Sequence, residues 1–168
     1  MRKYFKNRKG FTLVELMMVI AVIGILAAVL VPKMGFMKDS AKETGLEANV
    51  RMVEATVNSM IVKYNSSTIW HASNNGYLNT DLKAKLNGNL TNPFSNKKDA
   101  VIGNGSTTGQ PAVVIFNGAY SAWTGTYSGV AGATVCALSE DNGKIKAEIF
   151  YIDKDGKAAS NQFVKTVE

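Results

Sequence analysis

From Phe11 to Val31 the chain runs for 21 residues with a single charge, Glu15. At about 1.5 Å per residue a helix of that length reaches roughly 31 Å, the thickness of the hydrocarbon core of a bilayer. Five basic residues and no acidic one come before it: Arg2, Lys3, Lys6, Arg8 and Lys9. Only Lys33, Lys38 and Lys42 follow soon after. That asymmetry keeps the N-terminus in the cytoplasm and puts the bulk of the chain outside. An acidic group at the centre of a span costs about 2.5–3.5 kcal/mol, and less near its end. Glu15 therefore reads in two ways. It is a side chain that snorkels to the headgroups, or a functional carboxylate with a cationic partner.

The stretch Lys9-Gly10-Phe11-Thr12-Leu13-Val14-Glu15-Leu16, with the apolar run behind it, resembles the class III signal of type IV pilins and their relatives. The resemblance implies that a prepilin peptidase cuts after Gly10 and methylates the new N-terminal residue, Phe11. It implies that Glu15 serves subunit–subunit assembly, and that Gly24 and Pro32 loosen the helix. It covers residues 1 to 64; beyond them only the general layout is similar. Two other readings of the N-terminal segment stay open. A conventional secretory signal fits less well, because the run exceeds the usual apolar length of about 7–15 residues and no Ala-x-Ala site follows. A plain signal anchor is not separated from the first reading by hydropathy.

Beyond leader and span about 135 residues remain, enough for one domain with one core. Removing the leader's five cations takes the formal net charge from +6 to +1. The basic pI thus belongs to the targeting head and gives no support for nucleic-acid binding. Cys136 is the one cysteine, so no internal disulfide forms. Many pilins of bacteria with an outer membrane close their C-terminal region with a disulfide, so its absence tilts the source toward a Gram-positive organism.

Residues 37 to 64 continue as an amphipathic helix. Leu46, Val50, Val53, Val57, Met60 and Tyr64 step by threes and fours onto one face. Five such steps make a poor zipper, so the stripe is expected to pack on a sheet. Pro32 lacks an N–H and predicts a kink. Residues 11 to 64 then form one long, bent helix of roughly 80 Å. Asn65-Ser66-Ser67 ends it, and residues 65 to 111 read as a long polar connection. Within this connection Asp81 to Leu86 form a short helix capped by Thr80 or Asp81. Strands are expected at Ala112 to Phe116, Thr134 to Leu138, Lys144 to Ile152 and Gln162 to Val167. Asp141-Asn142-Gly143 and Asp153-Lys154-Asp155-Gly156 read as hairpin turns. Ile145, Ala147, Ile149 and Tyr151 share the face that meets the helix, while Lys144, Lys146 and Glu148 face water. The expected fold is α+β: a long N-terminal helix packed on an antiparallel C-terminal sheet of three or four strands, the pilin layout. Its parts are a leader (1–10), an apolar membrane or filament-core helix (11–36), an amphipathic helix (37–64), and the connecting loop with the sheet (65–168).

No catalytic constellation stands out. His71, the one histidine, lacks neighbouring N or S donors for a metal. Cys136 reads as a buried, inert thiol. Asp153-x-Asp155-Gly156 has the start of a calcium loop without its spaced acidic residues or distal Glu, and reads as a turn. The resemblance to secretion pseudopilins, some of which bind calcium near the C-terminus, keeps a calcium site as the second reading. The Gly103-to-Gly109 tip lacks the ending of a phosphate loop. Asn65-Ser66-Ser67, Asn89-Leu90-Thr91 and Asn104-Gly105-Ser106 match the glycosylation pattern. Trp123 and Tyr127 read as core or rim.

The resemblance implies a structural subunit rather than an enzyme, with no cofactor and no metal. As a type IV pilin it is stored in the cytoplasmic membrane as a single-pass precursor and polymerised through its helix into an extracellular filament. The implied partners are further copies of itself, the prepilin peptidase and N-methyltransferase, an assembly platform protein, a separate assembly ATPase, and the membrane; no nucleic acid is required. Two alternatives stand beside this: a pseudopilin of a type II secretion or competence system, and a membrane-anchored extracellular binding domain.

Overall fold

The computed structural model describes residues 10–71, 76–160 and 164–168. The basic leader before Gly10 and the expected strand start at Gln162 and Phe163 lie outside the described residues. The chain divides into two units, one ending at Ser40 and the other running from Ala41 to Glu168. Helix α1, Leu13–Ile61, contributes to both. Its apolar part, Leu13–Val31, has a mean hydropathy of 2.8 and the length to cross a membrane. Leu13, Leu16, Ile20, Ile23 and Leu30 are all exposed, so this stretch finds no cover among the described residues. The last turn closes with Lys63 and Tyr64 N–H groups donating to the Met60 and Ile61 carbonyls. Asn65-Ser66-Ser67 follows as a 3-10 turn beginning at Ser66.

In the second unit, α1 presents Leu46, Val50, Val53, Val57 and Ile61 to the sheet, all buried. The sheet answers with Ile145, Ala147, Ile149 and Tyr151, the residues whose alternation marked one face, together with Val113, Ile115, Cys136, Leu138 and Val167. Val53 is fully buried, so Val53→Ala is expected to destabilise this unit by about 1–3 kcal/mol. A thermal melt unchanged by that substitution shows that the helix does not pack there.

The strands are β1 Ala100–Ile102, β2 Val113–Asn117, β3 Thr134–Asp141, β4 Lys144–Tyr151 and β5 Lys165–Val167. They stand in the order β1-β2-β3-β4-β5. The expectation of three or four antiparallel strands needs correction: among the described residues there are five, and the sheet is mixed. β1 with β2 and β2 with β3 pair in parallel, whereas β3 with β4 and β4 with β5 are antiparallel. The reason lies in the link between β2 and β3. It is no hairpin; it passes through two 3-10 turns, Tyr120–Ala122 and Ser128–Val130, and returns to the start of the sheet. Parallel neighbours need such a crossover. β1 sits inside the segment read as a polar connection, and three residues are too few for alternation to reveal.

The crossover also gives the sheet a second core. Trp123, Val130 and Ala133 bury the outer face over Val114, Val135, Ala137, Phe150 and Ile152, with Phe116, Tyr120 and Tyr127 partly buried at its rim. Trp123 meets Phe116 edge-on at 5.4 Å and Phe150 at 5.7 Å. The outward side of β4 is accordingly drier than alternation implied. Lys144 is exposed, but Lys146 and Glu148 are half-buried and paired at 3.2 Å. Glu148 Oε2 also accepts from the Tyr120 N–H.

The short helix, α2, runs Leu78–Leu86, three residues earlier than expected. Neither Thr80 nor Asp81 caps it; Tyr77 holds the cap position without a side-chain bond. The Asp81 carboxylate is spent on a tertiary contact instead: it accepts from the Tyr64 hydroxyl at 2.6 Å, tying the end of α1 to α2. Burial, and then this bond, push the Tyr64 phenol up to about 12. The Asn142-Gly143 turn has φ values of 52° and 79°, the two positive angles of a type I′ hairpin.

Candidate assembly site

Every residue that the resemblance singled out lies in or just ahead of α1, within the first unit. Thr12 precedes the first helical residue. Glu15, three residues on, turns back toward it. Glu15 Oε2 accepts from the Thr12 N–H and from its hydroxyl, each at 2.9 Å, and the Thr12 hydroxyl accepts from the Glu15 N–H at 3.3 Å. This is a reciprocal capping box, which satisfies two donors that a helix start leaves orphaned. The pattern Thr-x-x-Glu ahead of an apolar run is readable in a sequence. Neither the snorkelling side chain nor the partner of a cation expected at Glu15 includes this capping role.

Among the described residues no ion pair reaches Glu15. Oε2 takes both Thr12 donors. The box therefore holds the carboxylate against the first turn, with Oε1 making no hydrogen bond to a described residue. Phe11 is 88% exposed, and nothing stands within 4 Å of where a side chain at Gly10 would begin. Gly24 likewise has open space around it, and Pro32 falls within α1.

The other candidates lie elsewhere and do not converge. His71 exchanges backbone hydrogen bonds with the Asn79 side chain and stacks its ring on Tyr77 at 4.8 Å. Cys136 is fully buried, and burial pushes its thiol up to about 12. Asp153 Oδ1 accepts from the N–H groups of Asp155 and Lys157, so it works as a turn residue. Among the described residues no three His, Cys, Asp or Glu gather as metal ligands. Asn92, which the sequence reading did not single out, is fully buried at the centre of the loop structure. Its Nδ2 donates to the carbonyls of Gln110, Pro111 and Ala131, and its Oδ1 accepts from the N–H groups of Phe94 and Ser95.

The chain thus combines a helix long and apolar enough to cross a membrane, a capped carboxylate at its start and an α+β unit. Residues 5–31 match the family described as the prokaryotic N-terminal methylation motif. A ComG operon protein 3 homolog of Bacillus licheniformis is 32% identical over 79 residues, which is 46% of this chain and 81% of that protein. The competence protein ComGC of Halalkalibacterium halodurans is 39% identical over 59 residues, 35% of this chain; the match spans 58% of that relative's length. The type IV wide pilus major component PilA4 of Thermus thermophilus is 51% identical over 43 residues, 26% of this chain and 33% of the relative. No solved structure matches. The chain belongs to the family of type IV pilins, pseudopilins and competence proteins.

Proposed function

We propose that this chain is the structural subunit of a short, competence- or secretion-type pseudopilus. It is held in the cytoplasmic membrane by the apolar part of α1, with its leader in the cytoplasm. A prepilin peptidase cuts between Gly10 and Phe11 and the new amine of Phe11 is methylated. A platform protein and a separate ATPase then draw the subunit into a filament, where apolar helix surface leaves lipid for contacts with neighbouring copies. Gly24 and Pro32 loosen α1 for that passage, and Glu15 meets the N-terminal amine of a neighbour. The observation that carries the reading is register. The match to the methylation-motif family, residues 5–31, takes in the end of the leader, Gly10, Phe11, the Thr12–Glu15 box and the span in one continuous stretch. The similarity across 81% of a ComG operon protein 3 homolog weights it toward the competence side. A second reading, a subunit of a longer surface pilus, draws on the 51% identity to a wide pilus component.

The processing step is tested by intact mass and N-terminal sequencing of the membrane-extracted chain. The expected mature form begins at a methylated Phe11, and Gly10→Val blocks its appearance because a branched side chain obstructs the approach to the scissile carbonyl. A mature form beginning after Val31 points to ordinary secretion and refutes the proposal. A deletion that abolishes transformation or secretion while leaving long surface filaments separates the first reading from the second.

A further inference from the structure

The chain contains five Asn-Gly pairs: Asn75-Gly76, Asn87-Gly88, Asn104-Gly105, Asn117-Gly118 and Asn142-Gly143. Each is chemically poised for the same reaction. The amide nitrogen of the glycine, after losing its proton to solvent base, attacks Cγ of the asparagine. The Cγ–Nδ2 bond breaks, ammonia leaves, and a five-membered imide closes. Water then opens the imide at either carbonyl, leaving aspartate or isoaspartate. The balance is one water in and one ammonia out, with no oxidant or cofactor. A side chain on the following residue hinders the attack, which is why glycine favours it. What differs among the pairs is the fold around them.

At Asn87 the side-chain oxygen accepts from the Ala100 N–H, and the Gly88 nitrogen is committed to the Lys98 carbonyl at 2.8 Å. At Asn117 the Gly118 nitrogen is committed to the Leu138 carbonyl at 2.9 Å. The Gly76 nitrogen donates to Asp81, and Asn75 itself lies outside the described residues. Asn142 sits in the type I′ turn with its Nδ2 donating to the Asp141 carboxylate at 2.9 Å. Asn104 is arranged differently. It is exposed and opens a turn closed by the Thr107 N–H on its own carbonyl. Its Oδ1 accepts from the Ser106 N–H at 2.9 Å, which folds the carboxamide over the Gly105 peptide. The Gly105 N–H has no hydrogen-bond partner among the described residues. The Ser106 donor also faces the oxygen that becomes negative when Cγ is attacked, the placement that stabilises an oxyanion.

We propose that Asn104 is a site of self-catalysed deamidation, the fastest of the described Asn-Gly pairs in the folded protein. Conversion replaces a neutral amide with a carboxylate charged at neutral pH. For the chain beginning at Phe11 it cancels the net charge of +1. The isoaspartate product also lengthens the backbone by one methylene beside Gly105. Gly105 lies so close against the Tyr127 ring that a side chain there collides with it. The modification therefore loosens the docking of this loop onto the outer core.

Full-length protein in detergent, incubated at mildly alkaline pH, is digested and its peptides sequenced by mass spectrometry that separates aspartate from isoaspartate. In the folded protein Asn104 is expected to convert at least about tenfold faster than Asn117, whose glycine must first give up a backbone hydrogen bond. In concentrated urea the two rates converge. Isoelectric focusing shows a matching acidic shift, absent from Asn104→Gln. An intact Asn104 in the folded protein overturns the proposal. So does a rate ratio that is the same folded and in urea, because sequence rather than fold then sets the order.

Discussion

Asn92→Ala is expected to destabilise the unit from Ala41 onward by about 3–5 kcal/mol, near the ceiling for single substitutions. For a domain of this size that lowers the melting point by roughly 10–20 °C. The side chain is wholly buried and uses both donors and its acceptor, with five backbone groups as partners. Alanine leaves the carbonyls of Pro111 and Ala131 facing a dry gap. Gln110 fares better, since its carbonyl also accepts from the Ser95 hydroxyl. Asn92→Asp is the sharper control. It preserves shape and the acceptor for Phe94 and Ser95 but sets a second oxygen against three carbonyls, so it is expected to be at least as damaging as alanine. Gly132 closes the other side: its φ is 78°, and a side chain there runs into the Asn92 carboxamide. A melt of Asn92→Ala within a few degrees of wild type shows that these bonds contribute little net stability.

Glu15→Val is expected to leave membrane insertion intact and to reduce filament assembly at least about tenfold. An amine and a carboxylate 4 Å apart attract by roughly 4 kcal/mol at an effective dielectric of 20, before desolvation is counted. A net share of about 1.4 kcal/mol already suffices for a factor of ten. The capping box adds a discrimination that charge alone does not offer. Glu15→Gln keeps an oxygen able to cap Thr12 and removes the charge. If pairing with a neighbour's amine governs assembly, Gln fails as Val does. If the box governs it, Gln approaches wild type, and Thr12→Ala is the variant that fails. Normal filaments from cells carrying only Glu15→Val refute the pairing role. The quantity to measure is sheared filament per cell at matched subunit level.

The helix and the face it covers were legible because period carries them. Leu46 through Val57 repeat by threes and fours, Ile145 through Tyr151 by twos, and the two stripes meet as those periods require. The sheet's direction was not legible. Alternation tells which face a residue takes, not which way its neighbour runs, and the crossover from Gly118 to Ala133 has the same Gly- and Ser-rich composition as a plain loop. Glu148 was read as solvated because its own strand makes it polar-out; the Tyr120 N–H that covers it comes from that crossover. At the start of α1 the Thr12–Glu15 capping box stood in the sequence but went unread. Thr12 and Glu15 belong to two overlapping patterns, and the more specific family motif obscured the local capping one.

The position of Cys136 has a practical consequence. It is fully buried between sheet and helix, with its thiol pushed up to about 12, so near neutrality it offers almost no thiolate to an alkylating reagent. The native chain is thus already a silent background for thiol chemistry. A cysteine placed at an exposed site on the crossover, such as Thr124, becomes the one reactive handle. Maleimide dyes can then follow the protein in living cells without first rebuilding the core around a missing sulfur.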